Sequence, residues 1–254
     1  MISKNKIRFI SSLQTKKARD EENLFVIEGE KIVKEFLEAG MHLKILAATT
    51  DFIATLPSFA LKQIECLETA GYNELKQMSS LKTPHSALAV LEKPYNNIDE
   101  GMSEKLSVAL DCIQDPGNFG TIIRAAAWFG TDTVLCSNDC VDVYNPKVVQ
   151  ASMGALLHVK VYYTDLAEYF RNVNKMPVYG TLLKGNSIYN QPVDNKGIIL
   201  LGNESKGISE KLLPFITHKI SIPSVGLAKP GIDSLNVGMA ASIIFSEFYR
   251  KMLC

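Results

Sequence analysis

The sequence predicts an α/β protein in two parts, a small N-terminal α/β domain over residues 1–95 and a larger domain over residues 104–254 built on a mostly parallel sheet. Three observations lead there. Beyond residue 105, short apolar runs alternate with segments of helical periodicity, and parallel strands need such crossovers to join them. The strongest turn signals fall directly after those runs, where ligands of open α/β sheets bind. Between residues 92 and 104, Pro94, paired asparagines, Gly101 and several acids interrupt the hydrophobic pattern and mark a boundary.

The elements follow in order. A basic helix is expected near residues 3–13, within a segment that carries Lys4, Lys6, Arg8, Lys16, Lys17 and Arg19 and no acid before Asp20. The 27 basic and 27 acidic residues of the chain cancel, so only this local excess argues for contact with phosphates. Strands are expected at 24–27, 43–47, 64–66 and 86–91, with a helix over 30–38. After the boundary the strand series is 106–112, 133–136, 159–162, 178–181, 197–201 and 219–222. A helix over 121–129 would turn Ile122, Ile123, Ala126 and Phe129 inward, and another begins at Ser234, apolar around most of its circumference.

Composition excludes several classes. A hydrophobic fraction of 46% beside 21% charged residues suits a globular core. The N-terminus is charged throughout and lacks a secretory h-region, and the apolar stretch 235–245 is too short to span a bilayer, so a soluble cytoplasmic protein is expected. Five scattered cysteines fit reduced thiols, and the isolated histidines give no metal-ligand spacing. No GxGxxG fingerprint follows a strand, which argues against a nicotinamide dehydrogenase, and Lys206 precedes rather than follows Gly207, which excludes a P-loop.

Three segments carry candidate chemistry. In DCIQDPGNFGTIIRAAAWFG (111–130) a strand enters a tight turn and then a helix, with Asn118 as the expected N-cap and Arg124 six positions on. In IILLGNESKGISEKLL (198–213) a buried strand ends at Gly202, and Glu204 follows where a polar ligand or an arginine can be held. In ISIPSVGLAKPGIDSLNVGMAASIIFSEFYRK (220–251) a loop rich in Gly and Pro leads to Ser234-Leu235-Asn236, with Ser234 a good N-cap. Each segment also has a plain structural reading as a capped turn with solvated side chains.

Together, in order and spacing, these segments resemble the SpoU-type (TrmH-like) branch of the SPOUT RNA 2′-O-methyltransferases over roughly residues 106–252. The matching motifs are DPGNFGTIIRAAAWFG, LLGNESKGIS and ISIP followed by SLNVGMAA, with YNPKVVQASMGALLHVKV between them. Residues 1–95 resemble the family's RNA-recognition domain, itself similar to a ribosomal protein, through KKAR and FVIEGEKIVKEFL. The resemblance implies a SPOUT domain with a trefoil knot, S-adenosylmethionine held near Thr181, Gly202, Ile222 and Leu235, and a homodimer formed through knot-region helices. It also implies functional roles for Asn118, Arg124, Glu204, Ser234 and Asn236. Ala125 stands where the family usually has Thr, and the loop between Pro223 and Ser234 is about four residues longer than usual.

The implied activity is methylation of a ribose 2′-hydroxyl in ribosomal or transfer RNA, with neither metal nor membrane required. Keeping a guanidinium neutral near pH 7 would cost roughly 7 kcal/mol, so Arg124 is expected as a cation at the developing alkoxide or the adjacent phosphate rather than as a base. Glu204 is expected to orient Arg124, Asn118 and Ser234 to position the nucleotide, and Asn236 to hold the knot loop. The rival from another class is a catalytically silent, ribosome-associated RNA-binding protein of the same fold, against which the presence of all five polar residues argues.

Overall fold

Ser3 opens the first helix, α1 (Lys4–Ser12), its hydroxyl accepting the backbone N–H of Lys6. The computed structural model describes residues 2–94, 105–173, 176–194, 196–224 and 234–252, and divides them between two compact units. In the first, α2 (Lys16–Glu22) leads into β1 (Leu24–Glu28), α3 (Glu30–Glu38) and β2 (Ile45–Ala48). Two short helices, α4 (Thr50–Ala54) and α5 (Ser58–Leu61), precede β3 (Leu67–Thr69), α6 (Tyr72–Met78) and β4 (Ala87–Glu92). The strand order is β1-β4-β2-β3, antiparallel except for the β2–β3 pair.

Alternation along the strands divides the core between the two faces of this sheet. Val26, Leu88 and Val90 meet Ile7, Ile10 and Leu13 of the N-terminal segment and Leu75 and Met78 of α6. Phe25, Ile27 and Ala89 meet Val33, Phe36 and Leu37 of α3 on the other side. The strand expected at 64–66 forms three residues later, with Ile64 making only an isolated bridge to Leu43.

The second unit holds a six-stranded sheet in the order β10-β8-β9-β5-β6-β7, every neighbouring pair parallel. Its elements are β5 (Leu106–Leu110), α7 (Pro116–Trp128), β6 (Thr133–Cys136), β7 (Lys160–Tyr163), α9 (Leu166–Asn172), β8 (Val178–Ser187), β9 (Gly197–Leu201), β10 (His218–Ser221) and α10 (Val237–Met252). β5 and β9 are apolar almost throughout because helices cover both faces. β8 runs six residues beyond its expected end at Thr181, since β10 pairs along its outer edge. That approach needs Gly185, where a Cβ would lie 2.6 Å from the carbonyl carbon of Ile220. Among the described residues no helix is long and apolar enough to cross a membrane.

One segment departs from the expected boundary between residues 95 and 104. Residues 142–157, including α8 (Pro146–Ser152), belong to the first unit although the chain on either side of them builds the second. Val149 is buried in the α3 face of the first unit's core, and Tyr144, Leu156 and Leu157 pack against it. Asp142 meets Arg19, whose Nη2 and Nε donate to its Oδ2 at 2.6 and 3.0 Å while Nη1 donates to the carbonyls of Leu13 and Gln14. Arg19 is 2% exposed, so the expectation that it meets RNA phosphates is corrected: its fork is fully occupied inside the unit. Lys6 likewise pairs with Glu68, and Lys17 faces Glu21 one helical turn on. Lys4, Arg8, Lys16 and Lys17 remain exposed.

Candidate active site

The three motif segments lie at the carboxyl edge of the six-stranded sheet, after β5, after β9 and beyond β10. After β5 the chain makes an abrupt turn through Cys112, which adopts a left-handed φ of 56°. The turn is pinned on both sides of that residue, since Ser137 Oγ accepts from its N–H at 2.8 Å and its carbonyl accepts from Asn203 Nδ2 at 2.8 Å. Asp115 then caps α7 by accepting from Asn118 N at 2.7 Å, and Pro116 takes the first helical position, where its missing N–H costs nothing. Helix α7 therefore starts five residues earlier than the 121–129 reading, and Asn118, expected as the cap, sits within the first turn.

Gly202 ends β9 where the next loop folds back over it; a Cβ there would lie 2.4 Å from backbone atoms of Gly207 and Ile208. Asn203 shapes that loop. Its Oδ1 accepts from the N–H groups of Ser205 and Lys206, each at 3.0 Å, and its backbone exchanges hydrogen bonds with Gly207. Glu204 is thereby presented at the loop tip, with Oε1 accepting from Asn118 Nδ2 at 2.9 Å and Oε2 from Asn203 Nδ2 at 3.4 Å.

Helix α10 begins at Val237, three residues beyond Ser234, and its cap is Asn236. Asn236 Oδ1 accepts from Gly238 N and Met239 N at 3.0 and 3.3 Å, an arrangement worth about 1 kcal/mol of helix stability. Fixing that oxygen fixes the rest of the chain of bonds. The Asn236 amide nitrogen must point away, and it donates to Asn118 Oδ1 at 2.8 Å; Asn118 then presents its own nitrogen to Glu204. One directional series, Asn236 to Asn118 to Glu204, joins all three segments, and each member is in the only orientation its neighbours permit.

Arg124 lies on the exposed stripe Gly117, Thr121, Arg124 and Trp128 of α7, and among the described residues it bonds to nothing. The expected pairing of Glu204 with Arg124 is not formed among the described residues, where Glu204 accepts from Asn118 and Asn203. Ser234 is exposed two residues before Asn236. Of the residues expected at a cofactor, Thr181 donates its hydroxyl to Leu200 O at 3.1 Å, Gly202 ends β9, Ile222 is half-buried just past β10, and Leu235 is exposed. Residues 225–233 of the intervening loop are outside the described residues. The sequence reading missed Asp111, Asn203 and Asp115. Asp111 is buried at the end of β5 and accepts from Ser209 N at 2.6 Å, tying the first segment to the second. An acid directly after an apolar strand was the available signal.

Residues 105–246 match the SpoU rRNA methylase family model. The chain belongs to the SpoU rRNA methylase family. Residues 4–89 match the MRM3-like substrate binding domain model. The chain is 30% identical to the Bacillus subtilis 23S rRNA (guanosine(2553)-2′-O)-methyltransferase RlmP over 247 residues, 94% of either protein. It is 25% identical to mitochondrial rRNA methyltransferase 3 of Xenopus laevis, covering 73% of that protein. Among solved structures, a TrmH-family protein from Porphyromonas gingivalis superposes with a TM-score of 0.86 at 37% identity over 99% of both chains. An AdoMet-bound rRNA methyltransferase from Sinorhizobium meliloti also gives 0.86, at 25% identity over 100% of this chain and 97% of the other. As a member of the SpoU family the protein is an RNA methyltransferase, which sets aside the reading of a silent RNA-binding protein.

Proposed function

We propose that the protein transfers the methyl group of S-adenosylmethionine to a ribose 2′-hydroxyl of ribosomal RNA. The observation that carries this reading is the directional Asn236–Asn118–Glu204 series, which assembles three distant segments at one sheet edge, with the exposed Arg124 on the same helix as Asn118. Relatives named as rRNA 2′-O-methyltransferases and a cofactor-bound neighbour support it. The residues present fit the cofactor: Ile222 and Leu235, which follow β10 and precede α10, offer apolar surface to an uncharged heterocycle, and Gly202 lets the loop after β9 fold close against the strand end. The bound sulfonium supplies an already activated methyl group. Asn118 and Ser234 position the nucleotide, Glu204 holds Asn118 in its working orientation, and Asn236 secures the start of α10. Arg124 stabilises charge developing on the ribose oxygen or clamps the neighbouring phosphate. Lys4, Arg8, Lys16 and Lys17 supply phosphate contacts from the first unit. The placement of β10 outside β8 supports a knotted crossover of the SPOUT kind.

The test is transfer of labelled methyl from S-adenosylmethionine to ribosomal and transfer RNA taken from cells lacking the protein. A ribose 2′-O-methyl group blocks alkaline cleavage of the following phosphodiester, so the label should leave in an alkali-resistant dinucleotide from ribosomal RNA. Label recovered on a base, or only in transfer RNA, would refute this assignment.

The protein works as a homodimer in this reading. Trp128 is 82% and Met239 64% exposed, with Leu235 and Tyr249 also open, whereas Ile244, Phe245 and Phe248 of the same helix are buried within the protomer. An apolar surface of this kind suits a second copy. Met239→Asp should give a folded monomer, whereas Phe248→Lys should unfold the chain by burying an unpaired charge. Sedimentation with thermal melting separates the two; wild-type protein that sediments as a monomer at micromolar concentration would end the proposal.

A further inference from the structure

The carboxyl ends of β6 and β7 carry a cavity of about 280 Å³ to which the three motif segments contribute only Lys211. Ser137, Asn138 and Asp139 line it just after β6, Thr164 and Asp165 just after β7, and Lys211 from the short 3-10 helix Glu210–Phe215 that precedes β10. Its volume is just below the range of about 300–1,000 Å³ for drug-sized ligands, which suits a single heterocycle.

The lining selects among ligands. Two carboxylates make it a poor seat for phosphate. Asp165 Oδ1 is occupied in accepting from Ala167 N and Glu168 N at 2.8 and 3.1 Å. Ser137, then the Cys112 thiol and the backbone of Asp139 itself, hold the Asp139 carboxyl below the usual range against partial burial, and Lys211 contributes in the same direction. The lining thus combines an acceptor-only carboxylate with a donor-only ammonium. Guanine is the one RNA base whose edge places two adjacent N–H donors beside a carbonyl. Adenine and cytosine lack the paired donors, and uracil sets a single N–H between two carbonyls.

The cavity is also joined to the candidate active site. Ser137 Oγ accepts from the N–H of Cys112, whose carbonyl is held by Asn203 beside Glu204. Adjacent strands lie about 4.8 Å apart, so β7 is roughly 10 Å from β5, the span of one or two nucleotides of single-stranded RNA.

We propose that this cavity is a second RNA subsite, which holds the guanine of a nucleotide flanking the methylated one, with Asp139 accepting from its N1–H and 2-amino group and Lys211 donating to O6. The inference rests on the RNA methyltransferase reading for its ligand class. The test is NMR titration of the full-length protein with guanosine, inosine and adenosine, with S-adenosylhomocysteine saturating the cofactor site. Guanosine should shift the amides of residues 137–139 and 164–166, inosine, which lacks the 2-amino group, should bind about 10-fold more weakly, and adenosine should leave these amides unmoved. Asp139→Asn should weaken guanosine about 10-fold or more with S-adenosylmethionine affinity unchanged. Equal responses to guanosine and adenosine, or guanosine affinity that survives Asp139→Asn, would overturn the proposal. Guanosine binding here by a protein that methylates no RNA would instead refute the activity and leave the subsite standing.

Discussion

Arg124→Ala is expected to lower methyl transfer by about 10² or more while S-adenosylmethionine affinity stays within a few-fold of wild type. Arg124 projects from the exposed stripe of α7, two turns beyond Asn118, and no described residue engages it. An exposed arginine that no described residue engages contributes little to stability, so its removal should leave the melting temperature almost unchanged. An effect on turnover alone is therefore specific to the reaction. Arg124→Lys refines the role, because lysine keeps the charge and loses the planar fork. Substantial residual activity would favour simple charge stabilisation, and near-complete loss would favour two-point clamping of a phosphate. Single-turnover transfer and cofactor binding measured on both variants decide it. Unchanged turnover in Arg124→Ala would make the residue an ordinary surface arginine.

The second large effect concerns stability. Arg19→Ala should cost about 3–5 kcal/mol, the range for removing one partner of a buried ion pair. Asp142 is only 11% exposed, and it would be left as an uncompensated charge together with two unpaired carbonyls, those of Leu13 and Gln14. Arg19→Lys should recover a minority of the loss, since an ammonium cannot satisfy Asp142 and both carbonyls in one plane. Chemical denaturation measures the cost, and the salt dependence of RNA binding serves as the control. A loss below about 1 kcal/mol combined with a shallower salt slope would return Arg19 to the phosphate-binding surface.

The contrast between these two arginines marks what the sequence discloses. Arg124 stands in a local pattern of strand, tight turn and helix whose chemistry can be read within a dozen residues, and its exposure follows from the spacing of Ile122, Ile123 and Ala126. Arg19 stands in a run of basic residues that looks like a solvated binding face, and the acid that buries it is 123 positions away. Helix starts erred for a related reason. Asp115 and Asn236 compete as caps with the equally plausible Asn118 and Ser234, and the choice is made by contacts between the three segments rather than by local propensity. Parallel strands were legible because burial on both faces makes them uniformly apolar. The length of β8 was not, because Gly185 reads as a strand breaker until β10 lies against it.

The return of residues 142–157 to the first unit also constrains the order in which this protein can be made and exchanged. A nascent chain that has emerged as far as Tyr95 has all four strands of its first sheet but lacks Val149, Tyr144 and the partner of Arg19. That sheet must wait, with part of an apolar face uncovered, until β5, α7 and β6 have been synthesised and the chain has doubled back. Folding from the N-terminus, the usual course for successive domains, is thus replaced here by closure of the first unit midway through translation of the second. The same geometry sets the cut points for grafting: a substrate-binding unit moved onto another SpoU methylase at residue 95 would arrive incomplete, and residues 142–157 would have to travel with it.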